Sequence, residues 1–401
     1  MVLSGLLMVY APAWILLETS FRGDAPVERL FCRYGVCDTD AVLAAQTLAH
    51  NGSVPDVPSA ELLEALRRDA ASPHRWCDLG EAMSKTGNIE EARFCFSAAL
   101  ALGTNVPPVL LRAANFYYGF GETQRALELN ARVLEKTATY DSGIFRWCEE
   151  KKIGVREVLR YGLPAGERAS QAYLRYLIDN GNFDDAATVW VWLLSHGYAD
   201  DRLANEYVNF LFTDQRYESA ARSWALYLGD HRNGYLESNW LFNGDFETAP
   251  SGSALDWKME NLNNDVQVAL DRSVSYTGGQ SLRIRFGGKE NVNYNSTYQT
   301  AFVPPGTYRF EAYIRTQQIT TDQGIGFHIF DPQAASRVDI KTEQTVGTNA
   351  WKRVEKTIHV PPDTMLLVIQ VARQPSLKFD NQISGTAWID SMKLLKLSGI
   401  K

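Results

Sequence analysis

The stretch Gln280-Ser281-Leu282-Arg283-Ile284-Arg285-Phe286 alternates polar and apolar side chains, and it decides the fold of the second half of the chain. Apolar side chains that recur every two residues indicate a β-strand with one buried face. Residues 307–314 repeat the alternation, and residues 365–371, apolar except for Gln370, read as a fully buried strand. Because Gly, Pro, Asn and Asp turns separate these runs, the sequence predicts an antiparallel β-sandwich over residues 239–398.

Ahead of this region the chain repeats itself with a period of about 34 residues, a length typical of a helix–turn–helix repeat. The matching pairs are Gly87 and Gly121, Ala92 and Ala126, Ala186 and Ala220, and Trp190 and Trp224. Small residues at fixed positions let two helices approach closely, and each helix pair leaves an apolar face that only the next pair covers. The sequence therefore predicts a helical solenoid over residues 38–230, with a degenerate stretch at about 140–166, where Gly154 and Pro164 break the phase.

The spacing of one repeat resembles a known family. Trp76-x-x-Leu79-Gly80-x-x-Met83, followed by Gly87, Ala92, Phe96 and Ala99, is similar to the tetratricopeptide repeat. The resemblance implies a solenoid whose concave face binds a protein partner, although a scaffold without a ligand remains open. The predicted fold class is thus multidomain α plus β, an all-α tetratricopeptide-like solenoid followed by an antiparallel jelly-roll β-sandwich.

The predicted sandwich carries landmarks of a second family, in the same order. They are Asn243-Gly244-Asp245-Phe246-Glu247 followed by Trp257, then Tyr276-Thr277-Gly278-Gly279-Gln280-Ser281-Leu282, Val303-Pro304-Pro305-Gly306-Thr307-Tyr308, and Gly385-Thr386-Ala387-Trp388-Ile389-Asp390. These segments resemble the jelly-roll carbohydrate-binding modules attached to many xylanases and glucanases. The resemblance implies that the sandwich binds a polysaccharide or oligosaccharide.

Many modules of this kind hold a structural calcium ion that joins the first strand to the last. By that resemblance Glu247 and Asp390 supply carboxylates and Asp245 supplies a main-chain oxygen, a mixture of oxygen ligands that suits calcium. The alternative is that Glu247 and Asp390 are surface carboxylates at strand ends.

Aromatic side chains beside polar ones predict where a sugar binds, because a pyranose ring has an apolar face and a rim of hydroxyl groups. Tyr294 and Tyr298 lie four residues apart on a predicted strand, so we expect them to face the same side, with Asn295 between them. Phe327 lies on a further strand that borders the same face, with a core position as its alternative. The predicted carbohydrate-binding residues are therefore Tyr294, Asn295, Tyr298 and Phe327.

The N-terminal residues bear on where in the cell the chain is located. Residues 1–20 open with an uncharged apolar run, which predicts a membrane anchor or a signal-like segment, with a buried first helix or a start codon placed too late as the alternatives. Cys32 and Cys37 flank a short loop and are candidates for a disulfide if the chain is exported. The expected location is the exported side of a bacterial membrane, in the periplasm or at the cell surface.

Other classes of function lack support. The formal net charge of −7 disfavours nucleic acid as a partner, and the six histidines are scattered without metal or triad spacing. We expect no enzymatic activity. The favoured function is an envelope-associated scaffold that binds a protein and a glycan, in the assembly or export of a cell-surface polysaccharide. The alternatives are a pure protein-interaction scaffold and an accessory subunit that targets a polysaccharide-degrading enzyme.

Overall fold

A computed structural model describes residues 59–261 and 264–397, with side chains from residue 61 onward. The predicted anchor at 1–20 and the predicted Cys32–Cys37 disulfide lie outside these residues. Within them, no helix combines the length and the apolar character needed to cross a bilayer. The chain divides into two compact units, Met1–Ala169 and Ser170–Lys401. The predicted domain limits of 38–230 and 239–398 stay predictions.

The first unit is helical throughout its described part. Its helices are α1 (Ser59–Arg68), α2 (Pro73–Lys85), α3 (Ile89–Leu102), α4 (Pro107–Gly119), α5 (Thr123–Lys136), α6 (Asp141–Glu150) and α7 (Val155–Glu157), which continues as a π-helix (Val158–Gly162). Helices α4 and α5 begin one repeat period after α2 and α3, respectively. The turns between paired helices hold Gly87 and Gly121, both at positive φ. The all-α class is confirmed, the helix starts follow the predicted period, and the repeat family stays a prediction.

Close packing of α2 against α3 explains why residue 80 is a glycine. A Cβ atom added to Gly80 in α2 would lie 3.0 Å from the ring of Phe96 in α3. The Phe96 ring stacks in turn on Phe116 of α4, with centroids 4.4 Å apart. The predicted role of Gly80, to let two helices approach closely, is confirmed.

The second unit continues with helices. They are α8 (Glu167–Asp179), whose first three residues belong to the first unit, α9 (Phe183–His196), α10 (Asp201–Thr213), α11 (Tyr217–Leu228) and a 3₁₀ turn (Gly229–Arg232). The starts of α8 and α10 are again one repeat period apart, as are those of α9 and α11. Asn182 and Asp200 cap α9 and α10 by accepting hydrogen bonds from backbone N–H groups, which satisfies donors that a helix leaves unpaired.

Ten strands then form two antiparallel sheets. They are β1 (Lys258–Met259), β2 (Val266–Asp271), β3 (Ser281–Gly287), β4 (Tyr294–Phe302), β5 (Gly306–Ile319), β6 (Gly326–Phe330), β7 (Asp339–Lys341), β8 (Gly347–Val360), β9 (Leu366–Arg373) and β10 (Ser384–Lys396). The first sheet has the order β1-β4-β9-β6-β7, and the second sheet has the order β2-β3-β10-β5-β8. Buried side chains of both sheets, including Tyr294, Phe310 and Phe327, form one core between them, and Trp257, just before β1, joins it. The predicted β-sandwich is confirmed.

The last helices contact the sandwich within the second unit. Asn209 of α10 accepts a hydrogen bond from the backbone N–H of Ala254 (2.8 Å), and Asn205 donates one to the carbonyl of Ser251 (2.5 Å). The Trp224 ring of α11 meets Phe242 edge-on at 5.7 Å. The compact unit is therefore larger than the sandwich itself.

Candidate functional site

The outward face of the first sheet carries a row of residues with one member from each strand. Backbone pairing aligns them in the order Lys258, Tyr298, Gln370, His328 and Lys341. Side chains of directly paired residues project from the same face of a sheet, with neighbouring strands about 4.8 Å apart. The next row adds Thr300, Val368, Phe330 and Asp339. We call these two rows the Tyr298 face.

The rings and polar groups of this face are held in place. The imidazole of His328 stacks on Phe330, with ring centroids 4.5 Å apart, and its Nε2 lies 2.6 Å from Oδ1 of Asp339. Gln370 donates from Nε2 to the carbonyl of Asn295 (2.8 Å). Tyr298 is half-buried, so part of its ring reaches solvent. The face thus combines aromatic surface with amide, imidazole and charged groups, the mixture that binds a sugar through stacking and hydrogen bonds.

A bulge in β4 corrects the prediction for Tyr294. Tyr294 pairs with Arg373 and Thr297 with Val371, so β4 advances three residues while β9 advances two. The extra residue reverses the alternation. Tyr294 is fully buried, its hydroxyl bonds to Thr297, and burial raises its pKa. The prediction that Tyr294 and Tyr298 face the same side is wrong, and Tyr294 belongs to the core.

Phe327 is also a core residue. It is 2% exposed and meets Phe310 of the opposite sheet at 5.2 Å. Its neighbours in sequence, His328 and Phe330, take the outward positions, because alternate residues of a strand face opposite sides. Of the four predicted carbohydrate-binding residues, Tyr298 and Asn295 lie at the face and Tyr294 and Phe327 do not.

Sequence reasoning missed the other members of the Tyr298 face, namely Lys258, Gln370, Lys341, Asp339, Thr300 and Val368. For β6 the alternation of side chains predicts the outward residues, because His328 and Phe330 flank Ile329, which is buried. The register between strands was not available, because it depends on pairing across segments distant in sequence.

The predicted calcium ligand Asp390 is a buried carboxylate that accepts hydrogen bonds. Its Oδ2 accepts from the backbone N–H groups of Tyr276 (2.7 Å) and Thr277 (3.1 Å), and its Oδ1 accepts from that of Ser391 (2.5 Å). Burial raises the pKa of this carboxyl, against the opposing effect of the three N–H donors. Asp390 therefore holds the loop between β2 and β3 against the last strand.

Glu247 holds the other end of the same loop. Its Oε1 accepts from the backbone N–H groups of Gly279 (2.9 Å) and Gln280 (3.3 Å). Asp245 lies half-buried two residues earlier. In the described part of the chain, no three carboxylate, histidine or cysteine side chains come together as a metal site. Glu247, near the start of the sandwich, and Asp390, in its last strand, are both joined to the loop between β2 and β3 through backbone N–H groups. Calcium binding by Asp245, Glu247 and Asp390 stays a prediction.

Gly244 completes this junction. Its carbonyl accepts from the backbone N–H of Met392 (2.7 Å), and an added Cβ would overlap the carbonyl oxygen of Met392. Only glycine fits so close an approach of two backbones.

Comparison with known protein families gives a match in the sandwich. Residues 238–377 match a family described as carbohydrate binding domain. The sandwich is therefore a domain of the carbohydrate-binding type. Among curated proteins, none matches the chain.

Solved structures of similar domains include three carbohydrate-binding modules. TmCBM61, in complex with β-1,4-galactotriose, is 17% identical, with 40% of this chain and 99% of that chain covered and a TM-score of 0.29. The C-terminal family 22 module of a Clostridium thermocellum xylanase is 17% identical, with coverage of 42% and 98% and a TM-score of 0.28. A xylan-binding domain from Paenibacillus barcinonensis is 12% identical, with coverage of 39% and 93% and a TM-score of 0.29.

Proposed function

We propose that this chain is a non-catalytic scaffold whose sandwich binds a polysaccharide or oligosaccharide through the Tyr298 face. The observation that carries the proposal is the alignment of Tyr298, Gln370 and His328 on one outward face of a domain that matches a carbohydrate-binding family. A sugar ring stacks on Tyr298, while Gln370 and His328 supply hydrogen bonds to its hydroxyl groups. These three residues occupy neighbouring strands, so the contact extends about 10 Å across the sheet.

The proposal also covers the helical repeats, which bind a protein partner. Two observations support a protein partner: the helices start at a regular period, and glycines at positive φ form the turns between them. Stacked helix pairs of this kind expose extended surfaces that bind other chains. Association with the cell envelope, through residues 1–20 on the exported side, belongs to the same proposal. So does the role in assembly or export of a cell-surface polysaccharide.

The experiment is a glycan array with the full chain, followed by calorimetric titration of each neutral oligosaccharide that binds. Tyr298→Ala is compared with Tyr294→Phe, a matched control on the same strand that alters only a core hydroxyl. We expect Tyr298→Ala to weaken binding by about tenfold or more, since that corresponds to about 1.4 kcal/mol, and Tyr294→Phe to leave it unchanged.

Two results count against the proposal. If the folded chain binds no glycan, the pure protein-interaction scaffold becomes the leading function. If glycan binds but Tyr298→Ala behaves like wild type, the site lies elsewhere on the sandwich.

A further inference from the structure

The second sheet carries an aromatic group on its own outward face. The rings of Tyr276 and Tyr313 are stacked, with centroids 3.7 Å apart and planes at 14°, and Trp351 meets Tyr276 edge-on at 5.8 Å. Tyr276 is 42% exposed, so stacking covers one side of its ring and leaves the other in contact with solvent. Neither Tyr276 nor Tyr313 belongs to the core between the sheets. The stack is a flat aromatic platform on the opposite side of the sandwich from Tyr298.

The platform is fixed by the loop that carries it. Asp390 binds the backbone N–H groups of Tyr276 and Thr277, and Glu247 binds those of Gly279 and Gln280. The hydroxyl of Thr277 also lies 2.6 Å from that of Ser391. A ring that is already in place loses little conformational entropy when a ligand stacks on it.

Next to the platform are two exposed arginines. Arg315 follows Tyr313 by two residues on β5, so both project from the same face about 7 Å apart. The Arg315 guanidinium lies over the ring of Trp388 on β10, 5.6 Å from its centroid. Arg285 on β3 pairs with Thr386, in the next row of β10 after Trp388. The arginines therefore flank β10 beside the aromatic platform.

The charge of these two arginines is not balanced locally. Within residues 61–261 and 264–397, no carboxylate forms an ion pair with Arg285 or Arg315. Other arginines of the same face are paired, since Arg283 meets Asp271 (3.3 Å) and Arg353 meets Glu311 (2.7 Å). Both side chains are exposed, so their guanidinium groups are open to an anion from solvent. Guanidinium binds carboxylates through paired hydrogen bonds, so an anionic ligand complements this end of the face.

We propose that this surface, the Tyr276 face, binds an acidic oligosaccharide that carries uronate carboxylates. One sugar ring stacks on Tyr276, and the carboxylate of a neighbouring sugar meets Arg315 and Arg285. The surface is formed by Tyr276, Tyr313, Trp351, Arg315, Arg285 and Trp388. It lies on the other sheet from the Tyr298 face, so the two binding functions are independent and either one fails without the other.

The test is calorimetric titration of the full chain with three uronate probes, namely oligogalacturonate, oligoalginate and hyaluronan oligosaccharides. Methyl-esterified oligogalacturonate is the matched neutral probe, because it keeps the backbone and removes the charge. The variants are Tyr276→Ala and the double variant Arg285→Gln with Arg315→Gln. Arg222→Gln, an exposed arginine of α11 that pairs with Glu218, controls for the loss of positive charge. Thermal unfolding of each variant confirms that it is folded.

We expect at least one uronate probe to bind, and its methyl ester to bind at least tenfold more weakly. Tyr276→Ala and the double arginine variant each weaken binding by about tenfold or more, whereas Arg222→Gln and Tyr298→Ala have no effect. The proposal is overturned if none of the three probes binds, or if the double arginine variant binds as wild type does. Loss of uronate binding in Tyr298→Ala alone assigns the acidic sugar to the first sheet and also overturns it.

Discussion

Gly119 and Gly121 lie two residues apart at the end of α4, in different backbone conformations. Gly121 has a φ of +78°, and Gly119 is helical with open space where a Cβ would be. A side chain in the left-handed region costs about 1–2 kcal/mol, whereas alanine in a helix is more favourable than glycine by about 1 kcal/mol. The same substitution therefore has opposite effects at the two positions.

We expect Gly121→Ala to lower the free energy of unfolding by about 1 kcal/mol and Gly119→Ala to raise it by up to about 1 kcal/mol. Urea denaturation followed by far-ultraviolet circular dichroism measures both changes. Equal effects of the two substitutions would contradict the positive φ at Gly121.

The turn glycines were readable from the sequence because their role is local. Gly87 and Gly121 recur at the repeat period, and both have the positive φ of a turn between helices. The equivalent position further along the chain is Gly181, but the one after it is Gln215, also at positive φ. A non-glycine residue in that conformation carries no signal in composition, so the positive φ at Gln215 was not predictable.

Asp271 connects three strands of the second sheet. It lies on β2, accepts a hydrogen bond from Nε1 of Trp388 on β10 (2.9 Å), and pairs with Arg283 on β3 (3.3 Å). Ser273 also donates to it (2.6 Å). The hydrogen bonds from Ser273 and Trp388 lower the pKa of this carboxyl to about 2. The ionised form is thus preferred in the folded state.

A lowered pKa in the folded state gives stability above the pKa of the unfolded chain, near 3.9 for aspartate, and this stability is lost as the pH falls through 2. We expect Asp271→Asn to lower the free energy of unfolding at pH 7 by about 1–2 kcal/mol. The difference from wild type shrinks between pH 4 and pH 2. Denaturation at several pH values measures it, with Asp363→Asn, an exposed turn carboxylate, as control. A difference that stays constant down to pH 2 would count against the ionised network.

At the level of strands, the alternation of polar and apolar residues predicted the sheets. It did not predict correctly which residues of β4 face outward, because of the bulge. The polar and apolar sequence of β3 and β5 gives their inward and outward faces correctly. In β4 the same rule fails after Tyr294, because one extra residue reverses the orientation of all that follow. Nothing in the local composition of residues 294–297 marks this insertion.

For the molecule as a whole, the change of periodicity near residue 239 located the change of secondary structure. The compact second unit nevertheless begins at Ser170, because α10 and α11 contact the segment that leads into the sandwich. Contacts between helices and a distant loop have no period, so the repeat pattern did not locate this boundary.

We expect a fragment of residues 236–401 to unfold at a temperature about 10 °C below that of a fragment of residues 167–401. The shorter fragment loses the Trp224 contact of Phe242 and the hydrogen bonds from Asn205 and Asn209. Together these are on the order of 3–5 kcal/mol, and 1 kcal/mol shifts the midpoint of a unit this size by about 2–4 °C. Differential scanning calorimetry measures both midpoints, and equal values would show that the helices do not stabilise the sandwich.

The bulge in β4 also bears on how related sequences are aligned. A relative with one residue fewer between Tyr294 and Tyr298 has a regular strand, in which the aromatic residues keep one orientation throughout. An alignment that places the gap on the wrong side of residues 295–296 matches positions of the Tyr298 face with core positions. Differences in strand length at this point therefore change which side chains lie on the outward face, even between chains whose residue types are the same.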